Sequence, residues 1–203
     1  MTVAYNLSQL ANKVNSSGQL DASTGLVNSL PAISGANLTN LNASNLASGT
    51  VASARLSNGA VIQTVFGSAS TATTTTSSSF VDATDCLLTI TPTSSTSKIL
   101  VNFSIYASVD AYSQFGIQNI IQIVRGSTVI GTTQMTSFGA VQGNNIPIIL
   151  LDSPNTTSTL TYKVQFRRYV NYGSTSNFVG INQPSGSEGT SASFFCLQEI
   201  KGS

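Results

Sequence analysis

From residue 87 onward the sequence is a succession of short apolar stretches that alternate with period two and are cut by turn residues, a pattern suited to a sheet protein. The stretches fall at 87–91, 98–106, 117–125, 128–133, 146–151, 160–170, 177–181 and 192–199. In the second, Ile99, Val101, Phe103 and Ile105 share one face. In the sixth, Tyr162, Val164 and Phe166 alternate with Lys163, Gln165 and Arg167. Turn signals separate them: Pro92 to Ser97, Arg125-Gly126-Ser127, Asp152-Ser153-Pro154-Asn155 and Pro184-Ser185-Gly186. Short strands with no helix-period segment between them predict an all-β fold, an antiparallel β-sandwich of jelly-roll type over 66–203. The Thr/Ser-rich run 68–79 reads as either a hinge or an edge strand.

The chain changes character near residue 65. Leu41, Leu46, Val51 and Leu56 recur every five residues, with Leu38 just upstream and small or polar residues between. That period fits neither a helix face nor strand alternation. One apolar residue per repeat builds no core within a single chain, but copies stacked around a common axis would bury the row. Residues 31–65 are therefore expected to form an extended trimeric stalk. Within residues 1–30, Leu7, Leu10 and Val14 follow the spacing of one helical face, with Asn6 as N-cap and Gly18 as stop. So short a helix is marginal alone and needs a surface to dock on.

Charge narrows the function. Of 203 residues only 7% are charged, with 8 basic and 7 acidic side chains and no His. Ordinary domains carry roughly 25%, and here Ser, Thr and Asn take the place of charge. Without His there is no Ser-His-Asp or Cys-His triad and no imidazole metal ligand. Without a Lys/Arg cluster, no nucleic-acid partner is expected. The N-terminus lacks the basic flank and apolar run of a signal peptide, and no apolar stretch reaches the ~20 residues of a membrane span. Synthesis in the cytoplasm without membrane insertion is the expectation. In that setting Cys86 and Cys196, each in or beside an apolar run, read as buried free thiols acting as small hydrophobes.

Several blocks carry a family resemblance. Ser79-Phe80-Val81-Asp82 followed by Leu88-Thr89-Ile90-Thr91-Pro92-Thr93 and Lys98-Ile99-Leu100-Val101 is similar to the head domain of tail-fibre-like proteins of tailed phages, cyanophages and other environmental phages among them. Ile123-Val124-Arg125-Gly126-Ser127 and Leu151-Asp152-Ser153-Pro154-Asn155 continue the likeness, which covers most of 79–164. Gly35-Ala36-Asn37-Leu38-Thr39-Asn40-Leu41 resembles shafts of the same proteins. The resemblance implies a homotrimer on the virion exterior, made in the host cytoplasm. Its N-terminus would dock on other phage structural proteins through Leu7, Leu10 and Val14, and its head would point outward. Two roles follow: a tail fibre that attaches to a bacterial surface glycan or protein, and a capsid head fibre or decoration protein.

Candidate sites are few. Asp82 and Asp85 are the nearest approach to a carboxylate pair, but glycoside cleavage needs two carboxylates across a sugar-binding cleft, and strand-end or turn roles suit them better. Two oxygens also fall short of a calcium site, although an ion on a threefold axis stays open. No enzyme activity, cofactor or metal is assigned. Arg167, Arg168, Tyr169 and Tyr172 form the densest cluster of residue types that dominate binding hot spots, and Tyr112 and Phe115 form a second. Both clusters read as receptor contacts or as contacts between subunits, and their position beside long strands leans toward the latter.

Overall fold

The computed structural model describes residues 51–110, 116–137, 142–170, 178–184 and 191–203. The expected helix around Leu7, Leu10 and Val14 and the stalk positions Leu38, Leu41 and Leu46 lie outside these residues. Residues Val51–Ser203 form one compact unit. Among the described residues, a single 3-10 turn at Ser53–Arg55 is followed by ten strands: β1 (Val61–Ala69), β2 (Thr73–Thr75), β3 (Val81–Ile90), β4 (Lys98–Val109), β5 (Ile117–Arg125), β6 (Thr128–Ser137), β7 (Gln142–Asp152), β8 (Leu160–Val170), β9 (Val179–Ile181) and β10 (Ser193–Ile200).

The pairing is nested and antiparallel. β1 pairs with β10, β3 with β8, β4 with β7 and β5 with β6, as in one long hairpin folded at the β5–β6 turn. Rolling that ribbon up brings β10 against β4 and β8 against β5. Two sheets result, β1-β10-β4-β7 and β3-β8-β5-β6. This is an eight-stranded jelly roll. Short β2 and β9 pair with each other, and β9 continues along β4 at Ala107, Ser108 and Val109, beyond the end of β10.

The alternation seen in the sequence is the packing. Ile99, Val101, Phe103 and Ile105 of β4 face Ile121 and Ile123 of β5 and Tyr162, Val164 and Phe166 of β8, all 0% exposed. Each such side chain contributes about 1.5–3 kcal/mol of burial. Polar groups tie the end of the sandwich at β9. Asn119 Nδ2 donates across the core to the carbonyls of Ser108 (3.3 Å) and Gly180 (3.0 Å). Asn182, held at φ 54°, accepts from Ser193 Oγ at 2.7 Å, and its Nδ2 lies 3.4 Å from Cys86 Sγ. A left-handed backbone is tolerated by Asn better than by most residues.

Several boundaries differ from the sequence expectation: β4 runs on to Val109 and β6 to Ser137, β7 begins at Gln142 rather than at residue 146, and β3 and β1 begin earlier than expected. β3 begins at Val81, not at residue 87, because a bulge hides its alternation: between Asp82↔Gln165 and Leu87↔Lys163, β3 advances five residues while β8 advances two. Asp85 sits in that bulge at φ 58°, and its Oδ2 accepts from Thr71 Oγ1 at 2.8 Å. β1 runs across the boundary drawn at residue 65, so Val61 to Val65 belong to the head sheet. Its inward set, Gln63, Val65, Gly67 and Ala69, is too mixed to read as a core face. Within 68–79 the structure forms the end of β1 and the edge strand β2, not a hinge.

The one fully buried carboxylate among the described residues is Glu199, 0% exposed on β10. It accepts from Gln63 Nε2 at 2.6 Å and from the Thr93 amide and hydroxyl at 2.7 and 2.8 Å, which pins the β3–β4 turn to β1 and β10. Burial pushes its carboxyl up, but the donors around it, the hydrogen bonds from Gln63 and Thr93 among them, outweigh that and hold it below the usual range. Asp82 is lowered too, chiefly by its hydrogen bond from Lys163. A carboxyl with a depressed folded pKa stabilises above its unfolded value, and the stabilisation is lost as pH falls through the folded value. Burial raises the Cys86 thiol to about 11, so its neutral form favours folding and that gain fades as pH climbs from ~8.5 toward the folded value. With no His to titrate between, the urea midpoint is expected to be flat from about pH 5 to about pH 8 and to fall below ~4.3. Glu199→Gln should flatten the acid limb. A midpoint that drifts steadily between pH 5 and pH 8 would contradict this assignment.

Candidate recognition face

Strand β8 sets the site. Because Tyr162, Val164 and Phe166 point into the core, the pleat turns Lys163, Gln165, Arg167 and Tyr169 outward on the β3-β8-β5-β6 sheet. The same pleat separates Arg168 from Arg167 and Tyr169. Arg168 is half-buried, and its backbone N–H donates to the Ser77 carbonyl at 2.9 Å. Across the sheet, Gln165 lies opposite Gln122, Arg167 opposite Ile120 and Tyr169 opposite Gln118. Thr132, Gln134 and Thr136 of β6 extend these rows.

The face has an ordered side and an open side. On the ordered side Gln122 Nε2 donates to Gln165 Oε1 (2.7 Å), Gln165 Nε2 to Asp82 Oδ1 (2.7 Å) and Lys163 Nζ to Asp82 Oδ2 (2.8 Å). These groups satisfy one another. Asp82 and Asp85 thus have separate partners, Lys163 and Gln165 for one and Thr71 for the other, as strand and bulge residues. On the open side the Arg167 guanidinium lies 5.2 Å from the Phe80 ring centroid and 5.7 Å from that of Tyr169. Its Nη1 donates to the Ser78 carbonyl at 3.4 Å. Tyr169 is 43% exposed. A planar cation held between two aromatic rings is preorganised, so little side-chain entropy is lost when a partner docks. Tyr112, Phe115 and Tyr172 lie outside the described residues, in segments that adjoin this end of β5 and β8 in the sequence. Phe80 was not among the residues expected from the sequence; its aromatic neighbourhood depends on long-range pairing.

The opposite outer face has another character. Phe66 is 76% exposed, Ile149 67%, Phe194 60% and Leu151 53%. A shallow hollow of about 200 Å³ there is lined by Phe66, Asn102, Ser104, Phe194, Phe195 and Cys196. The sequence signal for this face was present in two places. The doubled Phe194-Phe195 must turn one ring outward, and the unbroken run Ile146-Pro147-Ile148-Ile149-Leu150-Leu151 is apolar on both faces. Of the expected stalk row, Val51 is 53% exposed and Leu56 half-buried. Cys86 and Cys196 are both free thiols; Cys86 is buried as expected, whereas Cys196, expected to be buried too, is half-buried because it points to the outer face of β10. Among the described residues no group of His, Cys, Asp or Glu could hold a metal, and no helix is long and apolar enough to cross a membrane.

No family model and no curated protein matches this chain. Solved structures similar to it include that of the infectious bursal disease virus Gx strain, at 11% identity and TM-score 0.33, covering 70% of this chain and 39% of that one. The VP2 subviral particle of the same virus is similar at 10% identity and TM-score 0.29, with 70% and 42% covered. The match thus spans well under half of those chains. Likeness of this degree carries no functional argument.

Proposed function

We propose that this chain is a structural fibre protein of a phage virion, a homotrimer whose jelly-roll head attaches to the bacterial surface and catalyses no reaction. Jelly rolls build viral capsids, lectin domains and cupins alike, so the fold alone does not choose. The observation that carries the reading is the preorganised Arg167 cluster on an outer sheet face. Around it lie the amides of Gln118 and Gln134 and the hydroxyl of Thr136. Such a surface suits hydrogen bonding and stacking with polysaccharide. The resemblance of 79–164 to phage fibre heads supports the same reading. Three weak sites on one trimer, repeated around a particle, multiply affinity without a tight single site.

The test is binding of the purified protein to a panel of bacterial envelope polysaccharides. The wild-type chain is expected to bind at least one, and the Arg167→Ala/Tyr169→Ala variant to bind it at least about tenfold more weakly, or ~1.4 kcal/mol. Undiminished binding by the variant would remove the recognition face. No binding by the wild type would favour the second role, a capsid head fibre or decoration protein.

A further inference from the structure

We propose that the outer face of the β1-β10-β4-β7 sheet, centred on Phe66 and Phe194, is buried against further copies of this same chain. This deepens the homo-oligomeric part of the function proposed above and rests on it. The face is continuous across four strands. One row runs Phe66, Cys196, Asn102, Ile149; the row on one side runs Thr64, Gln198, Leu100, Leu151; the row on the other runs Ser68, Phe194, Ser104, Pro147. None of these positions is charged. The other outer face, by contrast, carries Asp82, Lys163 and Arg167.

Charge and area point to a copy of the chain as the occupant. Two such faces can meet through their uncharged centres, with Lys98 left at the rim, without leaving an unpaired buried charge, whereas a charged or strongly polar partner would set unpaired groups against Phe66 and Phe194. Strands about 4.8 Å apart and rows roughly 6.8 Å apart give a patch of about 300–400 Å². That equals a large patch on a monomer but is only about half of the ~800 Å² per partner that a stable interface uses. A partner arriving from solution would be held weakly, and copies already joined nearby would not. The chain enters this sheet directly from the five-residue apolar row. Leu56 closes the row, its carbonyl accepts from Lys201 Nζ just after β10, and β1 follows. Copies joined along that row would meet at this face at high effective concentration. Around a threefold axis, three such faces close a prism with an uncharged interior, and each meets two neighbours.

Cys196 stands in the middle of the face and is partly exposed in the single chain, whereas Cys86 is fully buried and serves as an internal control. The experiment is maleimide labelling of the full chain, with its mass read in parallel by native mass spectrometry. The expected result is a homo-oligomer in which Cys196 labels at least about tenfold more slowly than in Phe66→Asp/Phe194→Asp. Near-UV circular dichroism of that variant reports whether the head stays folded, and Ile149→Asp, on a different strand, serves if it does not. An oligomer whose Cys196 labels as fast as the variant's would overturn this face and leave the oligomer standing. A monomeric mass would overturn both.

Discussion

Replacing Asp152 with alanine is expected to lower the unfolding free energy by about 3–5 kcal/mol. Asp152 ends β7 in one sheet, and its Oδ2 accepts from Arg125 Nη1 at 2.6 Å and from Tyr162 Oη at 2.7 Å. Arg125 and Tyr162 are register partners on β5 and β8 of the other sheet, so one carboxylate oxygen clasps the two layers together. The pair is shielded, with side chains 20% and 10% exposed, and Tyr162 is fully buried. Burial raises the Tyr162 hydroxyl, and the Asp152 carboxylate raises it further, so it stays a donor. Removing the acceptor strands a half-buried guanidinium and a buried hydroxyl at once, which costs more than the pair itself contributes. Asp82→Ala breaks the other ion pair, whose side chains are 29% and 57% exposed, and should cost no more than about 1 kcal/mol. Urea denaturation of both variants makes the comparison. Equal, small losses would show that the clasp does not hold the layers.

Phe103→Ala should cost a similar amount, about 3–5 kcal/mol, by a different cause. Phe103 is 0% exposed at the middle of β4, between β10 and β7. Its ring meets that of Phe195 edge to face, with centroids 4.8 Å apart and planes at 67°. Alanine leaves a void lined by strands that are hydrogen-bonded on both sides and have little freedom to collapse into it. Phe103→Leu keeps most of the volume and should recover more than half of the loss. An alanine loss under ~1 kcal/mol would mean that the sandwich interior is not packed around this ring.

Much of this fold was legible because its strands are amphipathic on one side. Strands β5 and β8 run over the residues that alternation marks, 117–125 and 160–170. Alternation failed where the backbone breaks step, as in the β3 bulge at Asp85, and where the inward residues are not uniformly apolar, as in β1 with Gln63 and Gly67. The nested pairing was not legible, since Val61 meets Ile200 across almost the whole head and no local signal encodes that register. The same limit applied to the site. Alternation alone places Arg167 and Tyr169 on one face and Arg168 on the other, but bringing Phe80 beside Arg167 requires the β3–β8 pairing. The apolar outer face was written in Phe194-Phe195 and in the run 146–151, where period-two reasoning sees only a core strand.

The most direct measurement is a cryo-EM reconstruction of the purified full chain. It should show three copies around one axis, with Phe66, Phe194 and Ile149 between the copies and Arg167, Tyr169 and Phe80 on the outer surface. A single copy, or an assembly in which the Arg167 face lies between copies and the Phe66 face lies outside, would contradict it.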